Sequence, residues 1–276
     1  MSKWNPSKVS TYYWANGSQV ATNKGAPSIW TDQSGNGRVL QRPSQAAAPS
    51  LVSADLNGHD VLEFDGSNDI FVSDDASEFN FESSDFAIFC VHQRTGAGSS
   101  TNQSVYDMGS ALSDAYSNVY VFLDGVIDSF FLMSVGVIAT VTSGTTGVFC
   151  TAIVDNSTGA AFGRVDGQTA QTGGPDTSYT AGSPFTIGGA AAGSDHFDGK
   201  IAEIIVVQAT LSDREIEQFE GYLLHKYDLD KYPDSHRFKR FEPAFGLVGT
   251  HNNSTQGEIS LDISGDIASD GPAGVI

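Results

Sequence analysis

Carboxylates come first among the side chains that could do chemistry, because glycosidic hydrolysis needs two of them facing one cleft. On a strand such a pair would stand at alternate positions, which share a face. Glu203 is the one acid in the apolar run from Ile201 to Val207, and no companion stands at that spacing. It reads as a packed or edge-facing residue. Asp74, Asp75 and Glu78 lie in a polar loop, and Glu82-Ser83-Ser84-Asp85 reads as a turn before a strand. No GxSxG elbow frames a serine nucleophile, and the six His residues show no zinc-ligand spacing. No enzyme activity is expected.

Other residue types point to binding. Asp32-Gln33-Ser34-Gly35-Asn36-Gly37 has oxygen side chains at alternate positions and Gly at the sixth, as a calcium loop opens. The twelfth position, which needs a bidentate Glu, is Pro43, so an EF-hand is excluded. A turn held by side-chain to backbone bonds is the expected reading, with a lone surface calcium site as the alternative. Trp4, Tyr12, Tyr13 and Trp14 cluster on a polar stretch. Flat aromatic faces can stack sugar rings, but core or interface is the commoner use of such a cluster. Cys90 and Cys150 sit in apolar strand-like runs and read as buried free thiols, with a disulfide between neighbouring strands as the alternative.

The elements that would position these residues are mostly strands. The clearest is Ile201 to Val207, preceded by an Asp198-Gly199 turn and followed by a helix. Ser212 and Glu215 form a capping box, with Leu211 and Ile216 as a hydrophobic staple. Ile216, Phe219, Leu223 and Tyr227 then share one helical face. Gly221 predicts close packing on something flat, such as a sheet. Upstream, an edge segment and polar loop fill the first forty residues, and Pro43 to Ser53 reads as extended surface chain. Val61 to Phe64 and Ile70 to Val72 read as a hairpin around Asp65-Gly66. Phe86 to Gln93 is a strand and Thr95 to Ser104 a loop. Strands follow at Val119 to Leu123, Phe130 to Val141, Val148 to Val154 and Ala161 to Val165, with a long polar loop from Gln168 to Ser183. Short strands joined by turn residues at this spacing predict a β-sandwich.

Composition agrees. With 276 residues the chain can bury a large core without disulfides. Thirty Gly fit many tight turns. A formal charge of −19, with 14 Lys and Arg against 33 Asp and Glu, argues against nucleic acid or anionic membrane as partners. No apolar run is long enough to span a bilayer. The first residues, Met1 to Trp14, lack the apolar core of a secretory signal, which favours a route out of the cell other than secretion.

Four segments carry a resemblance. The cap and helix from Leu211 to Tyr227, the Trp30 to Gly37 segment, Leu56-Asn57-Gly58 with Phe64-Asp65-Gly66-Ser67-Asn68-Asp69, and Tyr232-Pro233-Asp234-Ser235-His236 resemble, in order, motifs of the concanavalin A-like lectin/glucanase (LamG-like) jelly-roll domains. The resemblance implies an all-β jelly-roll sandwich of two antiparallel sheets with one C-terminal helix. Laminarinase-like members carry an ExDxxE strand, which this chain lacks. Resemblance and turn chemistry together nominate Asp32, Asn36, Asn68 and Asp69 as ligand-binding candidates, with turn formation as their alternative role. His225 and His236 match positions that look structural.

Residues 1–238 are expected to form that domain, and 239–276 an extended tail. In the tail Ile259, Leu261 and Ile263 alternate with polar residues, a period-two strand that could add to an exposed sheet edge as an assembly element. The combination suggests a non-catalytic structural or binding component of a phage virion, in its tail, fibre or capsid surface. Expected partners are other virion proteins or further copies of the chain in a homo-oligomer, and host-surface carbohydrate. The expected location is the virion, with an extracellular location as alternative. A free lectin and a divergent glycoside hydrolase are the alternative functions.

Overall fold

Asp198–Val207 is the central strand of the computed structural model. Along one side it pairs antiparallel with Phe86–Arg94. That pairing has a bulge between Ile201 and Glu203, and the other side of the strand is shared: His59–Asp65 takes the first half and Thr11–Asn16 the second. The structure describes residues 3–75, 77–79, 81, 84–96, 102–108, 116–123, 126–134, 136–142, 148–155, 161–173, 184–190, 193–243, 248–249 and 261–262.

Around this strand lies an eight-stranded back sheet in the order Gln168–Gly173, Ala161–Val165, Val148–Asp155, Phe86–Arg94, Asp198–Val207, His59–Asp65, Ser50–Leu56, with Thr11–Asn16 off that path. The front sheet has nine strands: Gly136–Thr142, Val126–Ser134, Tyr116–Leu123, Asn102–Met108, Phe185–Ile187, Phe71–Ser73, Val39–Gln41, Ala26–Thr31 and Val20–Asn23. The main core lies between them, where Tyr13, Phe64, Ile88, Cys90, Ile204 and Val206 meet Trp30, Phe71, Tyr106 and Phe185. The architecture is the expected all-β sandwich of two antiparallel sheets with one C-terminal helix.

Several local expectations change. Asp198-Gly199 is strand, not turn. A Cβ on Gly199 would lie 2.4 Å from the Gln93 carbonyl oxygen, so close strand approach selects glycine there. Val61 to Phe64 and Ile70 to Val72 are not a hairpin, because they belong to opposite sheets and Asp65-Gly66 starts a crossing over the core. The hairpin lies just upstream, where Ser50–Leu56 turns into His59–Asp65 through Asn57 (φ 46°) and Gly58 (φ 76°). Asn102–Met108 is a strand within and beyond an expected loop, and Gln168–Gly173 begins another. Phe130 to Val141 spans two strands joined as a hairpin, Val126–Ser134 and Gly136–Thr142. The first forty residues hold strands rather than one edge segment and a loop, and the extended chain of Pro43 to Ser53 includes a 3-10 turn and the start of Ser50–Leu56.

The helix, Asp213–Tyr227, begins as expected, with both bonds of the capping box formed. Its buried Ile216, Phe219, Leu223 and Tyr227 cover the outer face of the back sheet, making a second core with Phe89, Val91, Ile205 and Val207. Phe219 stacks on Phe89 at 4.7 Å and meets Trp4 edge-on at 5.0 Å. Gly221 turns out to face the following segment, not a sheet: a Cβ would lie 2.5 Å from Phe238 Cβ and 3.0 Å from Pro243 Cγ. Residues 229–243 strap across the helix, and the Pro243 carbonyl accepts the Trp4 amide at 3.1 Å. The sandwich therefore holds the chain through Pro243, beyond Phe238.

Cys90 faces the main core and Cys150 the second core, on opposite faces of the same sheet, and both thiols are free. In the tail, Val248–Gly249 and Leu261–Asp262 form a small antiparallel ladder of their own. Ile259 and Ile263 lie outside the described residues. Among the described residues no helix is long and apolar enough to cross a membrane.

Candidate functional site

The Asp32 loop links Ala26–Thr31 to Val39–Gln41. Asp32 Oδ1 accepts the Trp14 amide (3.1 Å) and the Ser34 amide (2.8 Å). Its Oδ2 accepts the Ser34 hydroxyl (2.8 Å) and the Arg38 amide (3.2 Å). Asn36 Nδ2 reaches the carbonyls of Thr11 (2.8 Å) and Tyr12 (3.0 Å) and the Ser34 hydroxyl (2.9 Å). Arg38 lies 3.3 Å over the Tyr12 ring and donates to the Tyr12 carbonyl. Both Asp32 oxygens are thus engaged by chain donors, so the geometry favours the held turn over a cation site.

Asn68 and Asp69 belong to a second loop. Asp65 Oδ1 accepts the amides of Ser67 (2.8 Å) and Asn68 (3.3 Å), while Asp69 Oδ2 accepts the Asp65 amide at 2.9 Å. Asp69 is buried, and that burial pushes its carboxyl up to about 6. Asn68 is exposed. The structure therefore pairs the four candidates by loop: Asp32 with Asn36 on Thr11–Asn16, and Asn68 with Asp69 at the crossing between sheets. Three of the four build turns, and Asn68 presents its side chain to solvent.

Buried acids are concentrated elsewhere. The bulge at Ala202 turns Glu203 toward the helix instead of the main core. There it accepts from Tyr222 Oη (3.1 Å), Tyr227 Oη (2.7 Å), Lys226 Nζ (2.6 Å) and the Trp14 indole nitrogen. Burial, and then the Glu203 charge, raise the Tyr222 and Tyr227 hydroxyls above their ordinary range, so both stay protonated donors. Glu203 is packed, as its sequence context implies, but it is not solitary. Tyr222, Lys226 and Tyr227 could have been found from the sequence as polar tips on a sheet-facing helix; their acceptor could not.

Glu220 heads a second buried network. Arg164 grips it with Nε to Oε1 at 2.8 Å and Nη2 to Oε2 at 2.9 Å, and His236 Nε2 meets Oε2 at 3.1 Å. Such fork-on-fork pairing orients as well as attracts. Beside it Asp166 accepts the Cys150 amide at 2.9 Å, and burial pushes its carboxyl up to about 6. His92 lies between the sheets, where burial lowers its imidazole to about 3 and keeps it neutral. Burial raises both cysteine thiols, which leaves them poor nucleophiles.

The aromatic cluster is structural. Trp4 and Tyr13 are buried, and Tyr12 and Trp14 are half-buried against Phe79, Phe81 and Tyr222. A cavity of about 10 Å³ lined by Asp55, His92 and Lys200 has room for one water and no sugar. Among the described residues no three His, Cys, Asp or Glu side chains are grouped to hold a metal. Among the described residues the arrangement offers exposed loop amides at Asn36 and Asn68 and no acid–base pair over a cleft.

No family model matches the chain, and no curated protein does. Solved structures match in fold. One is a Trypanosoma rangeli sialidase in complex with sialic acid (TM-score 0.52, 13% identity, 78% of this chain and 33% of that one). Another is the binding domain of Paraclostridial Mosquitocidal Protein 1 (0.53, 14%, 78% and 52%). A third is the botulinum neurotoxin serotype D binding domain (0.50, 12%, 75% and 49%). The chain spans about a third of the sialidase and about half of each toxin domain. At these identities the likeness establishes a shared β-sandwich fold.

Proposed function

We propose that the chain is a non-catalytic structural or binding module of a phage virion, in its tail, fibre or capsid surface, that contacts host-surface glycans through loop amides. One observation carries the non-catalytic part: Glu203 and Glu220 are each held by several internal donors, and Asp69 and Asp166 each accept a backbone amide in a buried site. A glycosidase needs one carboxyl facing the leaving group and another facing water or the sugar. Two of the similar structures are binding domains by name, and a third is a sialidase with sialic acid bound, which supports a glycan-contacting surface on this fold. The exposed Asn68 is the side chain best placed for such a contact.

A glycan array run beside a reducing-sugar assay tests the reading. Binding without sugar release is expected, and Asn68→Ala should abolish binding while leaving the melting temperature unchanged. Sugar release that disappears in Glu203→Gln or Glu220→Gln would overturn the non-catalytic assignment. Binding by Asn68→Ala at full strength would remove that loop from the contact.

A further inference from the structure

Asn68 stands at an end of the sandwich where several segments meet. Gly66 donates to the Phe197 carbonyl at 3.0 Å, and Ile70 to the Ala47 carbonyl at 3.3 Å. Asp65 lies opposite Asp198 in the ladder. The amides of Thr95 and Gly96 bond the Asp198 carbonyl at 3.0 and 3.3 Å. A Cβ on Gly188 would lie 3.1 Å from the Asp69 carbonyl oxygen. These segments, residues 44–47, 65–70, 95–96, 188–190 and 193–198, hold four Asp and no Lys or Arg.

The basic residues next along the chain are committed. Lys200 pairs with Asp55 at 2.8 Å. Arg42 donates to the Asn23 and Gln45 carbonyls and to the Gln45 side chain. Arg94 keeps its Nε and Nη1 buried, and His196 its Nδ1, beside Gly189. Burial raises the Asp69 carboxyl to about 6 against the pull of the Asp65 amide, and the neighbouring Asp65 charge adds to the rise. At neutral pH the exposed Asn68 therefore works in a negative field.

We propose that the Asn68 site takes uncharged glycans and rejects counterparts that carry a sialic or uronic acid. This rests on the reading of Asn68 as a glycan contact and adds the ligand class. A sugar hydroxyl can donate to the Asn68 carbonyl oxygen or accept from its amide with no charge at stake. A carboxylate on the ligand would face Asp65 and Asp198 without a counter-charge, and such like-charge juxtaposition sets specificity by repulsion.

Paired glycans that differ only by a terminal sialic acid, titrated into the full chain at pH about 7.5, test this. At low salt the uncharged member should bind at least about tenfold more tightly, a modest share of what like-charge contacts cost. The gap should shrink in about 1 M salt, where screening acts over only about 3 Å. Asp65→Asn removes the charge and keeps an acceptor oxygen for the Ser67 and Asn68 amides. It should narrow the gap at least about threefold with an unchanged melting curve, through tighter binding of the sialylated member. Equal affinity for both members, or a preference for the sialylated one, would overturn the selection and leave the glycan contact standing. So would a gap indifferent to both salt and Asp65→Asn, which would trace it to shape. Binding of neither member, with no other glycan bound, would overturn the contact itself and the selection with it.

Discussion

Glu203 shows how a lone acid in an apolar strand becomes tolerable. A buried carboxylate needs several donors, and Lys226, Tyr222, Tyr227 and Trp14 supply them from a helix and a strand distant in sequence. Glu203→Ala should cost about 3–5 kcal/mol in denaturant melts, because it leaves Lys226 under the helix without its counter-charge. Glu203→Gln keeps an acceptor for both hydroxyls and should cost less; equal losses would show that charge alone matters. Asp166 makes the opposite case. Its folded carboxyl, pushed up to about 6 from 3.8, holds a proton that the unfolded chain has already released. This favours folding below pH about 4, and the contribution is lost as pH rises through about 6. Asp166→Asn keeps an oxygen for the Cys150 amide and tolerates the positive φ of 46°. It should match the wild type near pH 4 and exceed it at pH 7 by up to roughly 3 kcal/mol, two units at 1.36 each. Urea midpoints across that range would expose a flat difference, which would rule out Asp166 as the titrating group.

Elements differ in how much of their placement is local. The helix start is nearly self-contained: Ser212 and Glu215 satisfy each other's orphan donors within one turn. Ser212→Ala should therefore cost about 0.5–2 kcal/mol. Phe219 depends on partners from elsewhere, packing between Phe89 and Trp4 with no exposed surface. Phe219→Ala should cost about 3–5 kcal/mol, and a loss below about 1 would mean that the helix only lies on the sheet. Asn57 links hairpin to helix, its Nδ2 donating to the Lys226 carbonyl at 3.0 Å, one of the orphan acceptors at the helix end.

At the scale of the molecule, Pro243 is the last of the strap's ties to the sandwich among the described residues, and the proposed boundary lies there. Pro243 is buried, bonds to Trp4 and packs over Gly221, while Lys3 pairs with Glu242 at 2.8 Å. A chain ending after Pro243 should melt cooperatively within roughly 2 °C of the full protein, a shift that corresponds to under about 1 kcal/mol at this size. One ending after Phe238 removes those ties and should melt several degrees lower. Calorimetry on both truncations would show whether the proposed boundary is the energetic one; equal curves would return it to Phe238.

The sequence by itself determined what depends on neighbours along the chain. The capping box, the apolar face of the helix, the Ile201 to Val207 strand and the turn-forming roles open to Asp32 and Asn36 all follow from contacts a few residues apart. The absence of a spaced carboxylate triplet was equally plain in the sequence. Tertiary structure decided where equal local signals part. Asn57-Gly58 and Asp65-Gly66 carry similar turn chemistry, yet one closes a hairpin and the other crosses between sheets. Asn102 to Ser104 reads as the end of a polar loop because its side chains are polar, yet tertiary packing makes it the start of the strand Asn102–Met108 and buries Gln103, Ser104 and Asp107 beside Val105 and Tyr106. Glu203 found its four donors only through the bulge at Ala202, which re-aims one side chain across the sheet. Register and crossing depend on which strands meet, and that choice is made by the summed burial of both cores, not by any one segment.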